Sequence, residues 1–471
     1  MAEIIIPKDQ VNHAENSSNE KKEDYALEKV PSHWRMKWWN ITNVTLGVAT
    51  AMVFMQMGSL MATSFGAMNA LIAEVYATLI AGVLGVVIAY YSAKTGLNTN
   101  LMARGGGFGY IGASITSFIY AINFIMYCAI EGSIMASAVH EYVKTVPLWA
   151  LMIFFGLSVI PFNWFGMKQL EKLQKWTLPM FIVLLGAGMI SAAKMEPVYK
   201  GAIFSYLPEG AQIGGSMLLT CIGIMNGLVG IMALLISDYA RFIKKEEFKI
   251  GVFAVGFIPQ LVCFFIMGLI GIWFGVRFEE ANPGVYFVHV IGIGGALFTI
   301  LTQLRINITN LYSGSLSLAN FFEHVFKFKP GRTFWVAFTA IAAIVAMLAG
   351  ALDYLGPLLT FQGVFLFAWA AILVTDAIIV KKIMKIGPLY FEYRSQYLYP
   401  WNPVGVVSLL IASLIGTIAA FGFMGTVLQN IAAFFAAVIA SILTIIISII
   451  TNGKYYVKEV VNDIPDDEKI A

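Results

Sequence analysis

The chain has 471 residues, of which 59% are hydrophobic and only 12% charged, about half the charged share of an ordinary soluble domain. With a mean hydropathy of +0.78 it lacks the polar residues needed to coat water-facing cores, so it reads as an integral membrane protein. A formal net charge of +3, spread along the chain, is too mild for a nucleic-acid partner.

Residues 1–33 contain a polar run from Asn16 to Asp24 and too few apolar residues to fold alone, which predicts a disordered cytoplasmic tail. No short apolar core with a small-residue cleavage site follows Met1, so the first membrane helix is expected to direct insertion. Between this tail and a second, charged tail at 453–471, residues 34–452 form the predicted membrane domain. Twelve apolar segments there have about the 20 residues that cross a bilayer: 41–66, 69–93, 108–140, 148–165, 174–193, 214–240, 250–275, 286–322, 333–351, 356–380, 403–424 and 427–451. Segments three and eight exceed one crossing and are expected to tilt or to extend beyond the membrane.

Orientation follows from the basic residues. With the amino terminus in the cytoplasm, the even-numbered connections hold sixteen Lys and Arg, whereas the odd-numbered ones hold only Lys144, Lys194, Lys200 and Arg277. This asymmetry obeys the positive-inside rule and puts both termini in the cytoplasm; the lipid bilayer of the cell membrane is the expected surrounding.

Segment one is interrupted by polar and small residues from Thr45 to Thr50, and segment six by Gly223, Asn226, Gly227 and Gly230. Such residues lower helix propensity. They also permit close helix packing, so unwinding and packing both remain open for any one of them. Their pairing five helices apart suggests two inverted five-helix repeats, about 41–193 and 214–380, with 403–451 peripheral.

Two ionisable residues fall inside apolar segments, Glu131 in segment three and Arg305 in segment eight. A charge at a membrane helix centre costs about 2.5 to 3.5 kcal/mol on the lenient insertion scale. The two either brace each other as an ion pair or mark a site at the midplane. Glu74, Asp238, Asp353 and Asp376 lie near helix ends, where water or headgroups are expected to solvate them.

Gly107 to Gly112 matches the dinucleotide pattern GxGxxG, but no strand precedes it and it opens a membrane helix, so no phosphate cradle is expected. Cys128, Cys221 and Cys263 lie in apolar stretches without metal-ligand spacing and read as packing residues. No Ser, His and Asp constellation is identifiable, and neither an enzyme nor a resident cofactor or metal is expected.

Val30-Pro31 with Trp34-Arg35, Ser237-Asp238-Tyr239-Ala240-Arg241-Phe242, and the run from Arg305 to Ser313 followed by Ser315-Leu316 and Ala319-Asn320 resemble the nucleobase-cation-symport-1 family of cytosine, purine, hydantoin, allantoin and vitamin-type transporters. The resemblance implies an all-α membrane protein of the leucine-transporter fold. Helices 1, 2, 6 and 7 would form a bundle that rocks against a scaffold of helices 3, 4, 8 and 9, with a small-molecule substrate between them. A monomer suffices for that architecture.

The resemblance also assigns residues. Tyr127 matches the aromatic of helix three, and Glu131, four residues on and so on the same face, takes the position of a substrate-binding amide. Asn307 resembles a helix-eight asparagine, with Thr302 in place of another. The helix-six lining would be Asn226, Gly227, Leu228 and Val229, where Val229 replaces a second aromatic and leaves a one-sided stack. Arg305 and Ile306 occupy the positions of two sodium-binding hydroxyls. A guanidinium does not deprotonate in a useful range, so no sodium site is expected, and Arg305 would act as a fixed surrogate cation beside Gly47 and Thr50. Coupling is then expected from a proton on Glu131. Alternatively, an ionised Glu131 serves as counter-ion to a cationic amine or vitamin-type substrate, with Tyr127 as a cation-π face. A non-transporting membrane sensor is the rival from another class.

Overall fold

The computed structural model describes residues 28–164, 167–459 and 469–470; residues 1–27 of the predicted tail at 1–33, and 460–468 and 471 of the one at 453–471, lie outside them, as do the side chains of Lys168, Lys172, Lys175 and Arg332. The first tail is not wholly unstructured, since Val30 is buried and its N–H donates to the Gly96 carbonyl at 3.0 Å. Among the described residues the chain is helical throughout, with a single isolated bridge between Met36 and Ile243. In chain order the main helices are α1 (Trp38–Ala49), α2 (Met52–Phe65), α3 (Ala67–Thr95), α4 (Ala113–Tyr142), α5 (Leu148–Ser158), α6 (Met167–Lys194) and α7 (Gly215–Ala240). They continue as α8 (Lys245–Phe278), α9 (Pro283–Ile291), α10 (Ile293–Phe326), α11 (Arg332–Leu348), α12 (Leu355–Ile383), α13 (Pro403–Ala420) and α14 (Ala432–Thr451).

Eight of these helices are long and apolar enough to span a bilayer, and the bent pair α1 and α2 makes a ninth. The shorter apolar α5 and α11 and the more polar α10 occupy the remaining predicted segments. Phe154, Ile182, Val183, Val345 and Ile450 face outward, each more than 60% exposed. Such an apolar exterior fits lipid rather than water.

Segment one breaks where its composition suggests. Thr50 leaves the helix, Ala51 is extended, and α1 and α2 meet at a 43° bend. The Thr50 hydroxyl donates back to the carbonyls of Leu46 at 2.9 Å and Gly47 at 3.2 Å, a local bond that competes with continuing the helix.

Segment six does not break: α7 runs unbroken from Gly215 to Ala240, so of the two readings left open there, packing holds. Its glycines serve close approach instead. A Cβ on Gly227 would lie 2.3 Å from the carbonyl oxygen of Leu359 on α12, and one on Gly230 would lie 2.6 Å from Leu366. Segment eight is not one long tilted helix either. Gly292, at φ 56° and ψ −130°, turns the chain between α9 and α10 in a conformation only glycine adopts readily.

The helices sort into two groups by packing. α2, α3, α7 and α8 pack on one another, while α4, α5, α10 and α11 form the other group around the long α4–α10 contact. Within the first group, α2 and α8 touch backbone to backbone. The Ser59 hydroxyl donates to the carbonyl of Gly271 at 2.8 Å, and a Cβ on Gly271 would lie 2.2 Å from the carbonyl oxygen of Met55. Gly271→Ala is therefore expected to destabilise the protein by about 1 to 3 kcal/mol, the usual range for overpacking. A thermal unfolding midpoint equal to that of the wild type in the same detergent would count against this packing.

The end of α12 also differs from expectation. Asp376 and Lys381 are fully buried and paired at 3.1 Å, the Lys381 ammonium also donates to the carbonyl of Gly105 at 2.6 Å, and the Tyr456 hydroxyl donates to Asp376. Residues 453–459 thus carry part of the packed structure. Glu74, too, is buried at 1% exposure because α2 and α8 close over it, whereas Asp353 is exposed as anticipated. The glycines of the GxGxxG stretch pack against the segment 399–406, with Gly109 against the Tyr399 and Pro400 carbonyls.

Candidate functional site

The break between α1 and α2 exposes two helix ends inside the membrane. The α1 end presents carbonyls and the negative pole of its dipole; the α2 end presents free N–H groups and the positive pole. Each meets a polar side chain of fitting character from the opposite helix group. Arg305 of α10, 1% exposed, donates from Nη2 to the Thr50 hydroxyl at 2.5 Å and so sits at the carbonyl end of α1. Its Cζ also lies 5.6 Å from the ring centre of Phe181 on α6, within cation-π range.

At the α2 end, the Met52 N–H donates to Oε1 of Gln303 at 3.3 Å. Glu131 of α4 accepts a hydrogen bond from Gln303 Nε2, and Val53 lines the same cavity. Glu131 and Arg305 therefore do not form an ion pair with each other; they address opposite lips of one break. Both are held by the α4–α10 contact, where Asn307 Nδ2 donates to the Cys128 carbonyl at 3.2 Å and Gly132 leaves room beside Met347 and Asn307.

A central cavity of about 30 Å³, lined by Val53, Phe54, Tyr127, Glu131, Leu228, Ile306 and Asn310, lies against the break. It has room for about one water. Organic ligands commonly occupy pockets of about 300 Å³ or more, so a guest of that size requires the two helix groups to part. The Tyr127 hydroxyl has no hydrogen-bond partner among the described residues.

Of the residues singled out in the sequence, the structure brings Tyr127, Glu131, Leu228 and Ile306 to this cavity and sets Arg305, Thr50 and Gly47 at its edge. It places the others elsewhere. Asn226 accepts from the Tyr76 hydroxyl at 2.6 Å, Gly227 contacts α12, Val229 is fully buried outside the lining, and the Thr302 hydroxyl bonds back to Phe298 at 2.8 Å. Sequence reasoning passed over Gln303, which links Glu131 to α2, and Asn310. The available signal was a buried-type amide two residues before Arg305 in an otherwise apolar turn.

Two further cavities lie along the same helices. On the side assigned to the cytoplasm, about 50 Å³ is lined by Tyr120, Asp238, Arg241, Thr309 and Asn320, and the Tyr120 hydroxyl donates to Asp238 at 2.9 Å. Thr309 here adjoins Asn310 of the central cavity in sequence. On the opposite side, about 530 Å³ opens between Leu60, Thr220, Ile224, Asp353, Phe361 and Asn430. Ile224 there is one helical turn from Leu228 in the centre, about 6 Å along α7.

The profile of the family described as permeases for cytosine/purines, uracil, thiamine and allantoin matches residues 29–446. Among solved structures, the inward-facing conformation of Mhp1 superposes with a TM-score of 0.71 at 18% identity, covering 92% of this chain and 98% of that one. Mhp1 described as a nucleobase-cation-symport-1 transporter, in a closed conformation with bromovinylhydantoin bound, gives 0.67 at 19% identity over 91% and 99%. A Na+-coupled sialic acid symporter in a substrate-bound outward-open state gives 0.58 at 14% over 94% and 95%. These likenesses show the fold. No curated protein sequence matches the chain.

Proposed function

The chain belongs to the family of permeases for cytosine/purines, uracil, thiamine and allantoin, and from that premise we propose that it imports a small nitrogenous compound across the cell membrane by alternating access, linked to protons and independent of sodium. It is a secondary transporter of the leucine-transporter fold, not an enzyme. The bilayer of the plasma membrane and cytoplasmic termini are part of the proposal and rest on the asymmetry of basic residues.

The observation that carries it is the occupied break. Arg305 stands at the carbonyl end of α1, where its charge complements the helix dipole, and Ile306 beside it offers no ligand oxygen. A fixed guanidinium there removes the need for a metal cation. Glu131, on the face that also presents Tyr127, is the substrate-facing acid, able to hold a proton or to accept from ring N–H groups. Substrate would lie between Tyr127 and the α7 wall at Leu228, its edge toward Glu131 and Asn310.

A second reading follows from the Gln303 N–H that already faces Glu131: a carboxylate there would be a counter-ion for a protonated amine or amidine. The two readings separate in proteoliposomes offered labelled nucleobases, hydantoin-type rings, thiamine-type compounds and small amines. Saturable uptake of one class is expected, unchanged within about twofold when choline replaces sodium and faster with acid outside. Loss of uptake in choline would defeat the role given to Arg305. Uptake driven by membrane potential but indifferent to the proton gradient selects the counter-ion reading, and binding without flux selects a sensor.

A further inference from the structure

We propose that Glu74 binds a proton during the transport cycle, at a site within the bundle and separate from the substrate cavity. The inference rests on the proton-linked reading above but concerns a different residue and a different helix group. Glu74 lies seven residues into α3, about 10 Å from its start, and is 1% exposed. Neither carboxyl oxygen has a hydrogen-bond partner among the described residues, in contrast to Glu131, which accepts from Gln303.

Its surroundings are dry and tightly packed. A Cβ on Gly268 of α8 would lie 2.4 Å from the Glu74 carboxyl carbon, and one on Gly58 of α2 would lie 2.3 Å from the Gly268 carbonyl oxygen. The backbones of α2 and α8 thus close over the acid. Leu261–Met267, just before Gly268, is a π-helical stretch, an interruption that recurs at functional sites.

The titratable groups facing Glu74 are two thiols, Cys221 of α7 and Cys263 of α8. No ionisable side chain occurs in α2, and no cation pairs with Glu74 among the described residues. An ionised carboxylate in that place would be neither solvated nor paired, whereas a carboxylic acid carries no charge to compensate. The packed state described here therefore holds the acid with its proton.

Proton exchange would draw on the large outer cavity. Thr220 lines the large outer cavity and adjoins Cys221 in sequence. Hydronium reaching that cavity would give up its proton as an O–H bond forms on Glu74 and water is left behind. When the bundle opens to the other side, the O–H bond breaks and the proton passes to water there. Because Glu74 sits on the bundle and Glu131 on the scaffold, the proton travels with the element that moves.

Infrared difference spectroscopy on the purified full-length protein tests the site without any substrate. The expected result is a carbonyl-stretch band of a protonated carboxyl that shifts in deuterium oxide, is lost in Glu74→Gln, changes frequency in Glu74→Asp and persists in Glu131→Gln. A band unaltered in both Glu74 variants, or no such band in the wild type, overturns the proposal. In proteoliposomes, Glu74→Gln is expected to retain substrate exchange while gradient-driven accumulation falls at least about tenfold. A wild type that ignores the proton gradient refutes the proton-linked reading, whereas a gradient-driven wild type matched by an equally driven Glu74→Gln refutes the role of Glu74 alone.

Discussion

Replacing Glu131 by glutamine is expected to lower substrate uptake by about one to two powers of ten, with little change in the amount of folded protein. The carboxylate accepts from the Gln303 amide, whose oxygen in turn accepts from the Met52 N–H at the start of α2. A carboxamide of the same shape can still accept there but loses the charge that strengthens the bond. Hydrogen bonds to a charged group contribute about 1.5 to 3 kcal/mol, and that range at the rate or affinity level is the expected loss. The measurement is the initial rate of uptake against substrate concentration in proteoliposomes, with thermal unfolding as the control for folding. A variant with the wild-type KM, maximal rate and gradient response would leave Glu131 a purely structural part of the α4–α10 contact.

The second large effect concerns Arg305, and its sign differs between activity and stability. Among the described residues the guanidinium is almost wholly buried, has one hydrogen bond, to Thr50, and leaves Nε and Nη1 without partners. Removing a charge from water on those terms costs more than one bond returns, and well-packed apolar replacements of buried charges are often neutral or stabilising by about 1 to 4 kcal/mol. Arg305→Met should therefore melt at or above the wild-type temperature while transport falls at least tenfold, because the carbonyl end of α1 loses its counter-charge. Thr50 keeps its bonds to Leu46 and Gly47, so the break itself survives. Arg305→Lys keeps the charge but not the planar fork and is expected to fall between the two. A marked drop in melting temperature for Arg305→Met, with transport intact, would recast Arg305 as a brace.

Much of the fold was legible because bilayer crossing imposes a length and a composition on every segment, and the break at Thr50 could be read from threonines and glycine next to one another. The site was legible in part. Glu131 and Arg305 stand out as ionisable residues in apolar runs, but their partners do not: Gln303 joins Glu131 to α2 only once α4, α10 and the helix break are brought together. The same limit explains why segment six could not be decided from the sequence. Gly227 and Gly230 are equally suited to unwinding and to close contact, and the neighbour that decides, α12, lies more than a hundred residues away in sequence. Glu74 and Asp376 look solvated from their places near helix ends; their burial comes from α2, α8 and Tyr456 folding over them.

The direct backbone contact between α2 and α8 also restricts what can move. Ser59 grips Gly271 across it, and neither Met55 nor Gly271 has side-chain atoms between their main chains there to reshape as one helix slides past the other. α2 cannot then swing alone as a flap over the substrate. It must carry α8 with it, so the broken helix acts as one wall of a block that moves together.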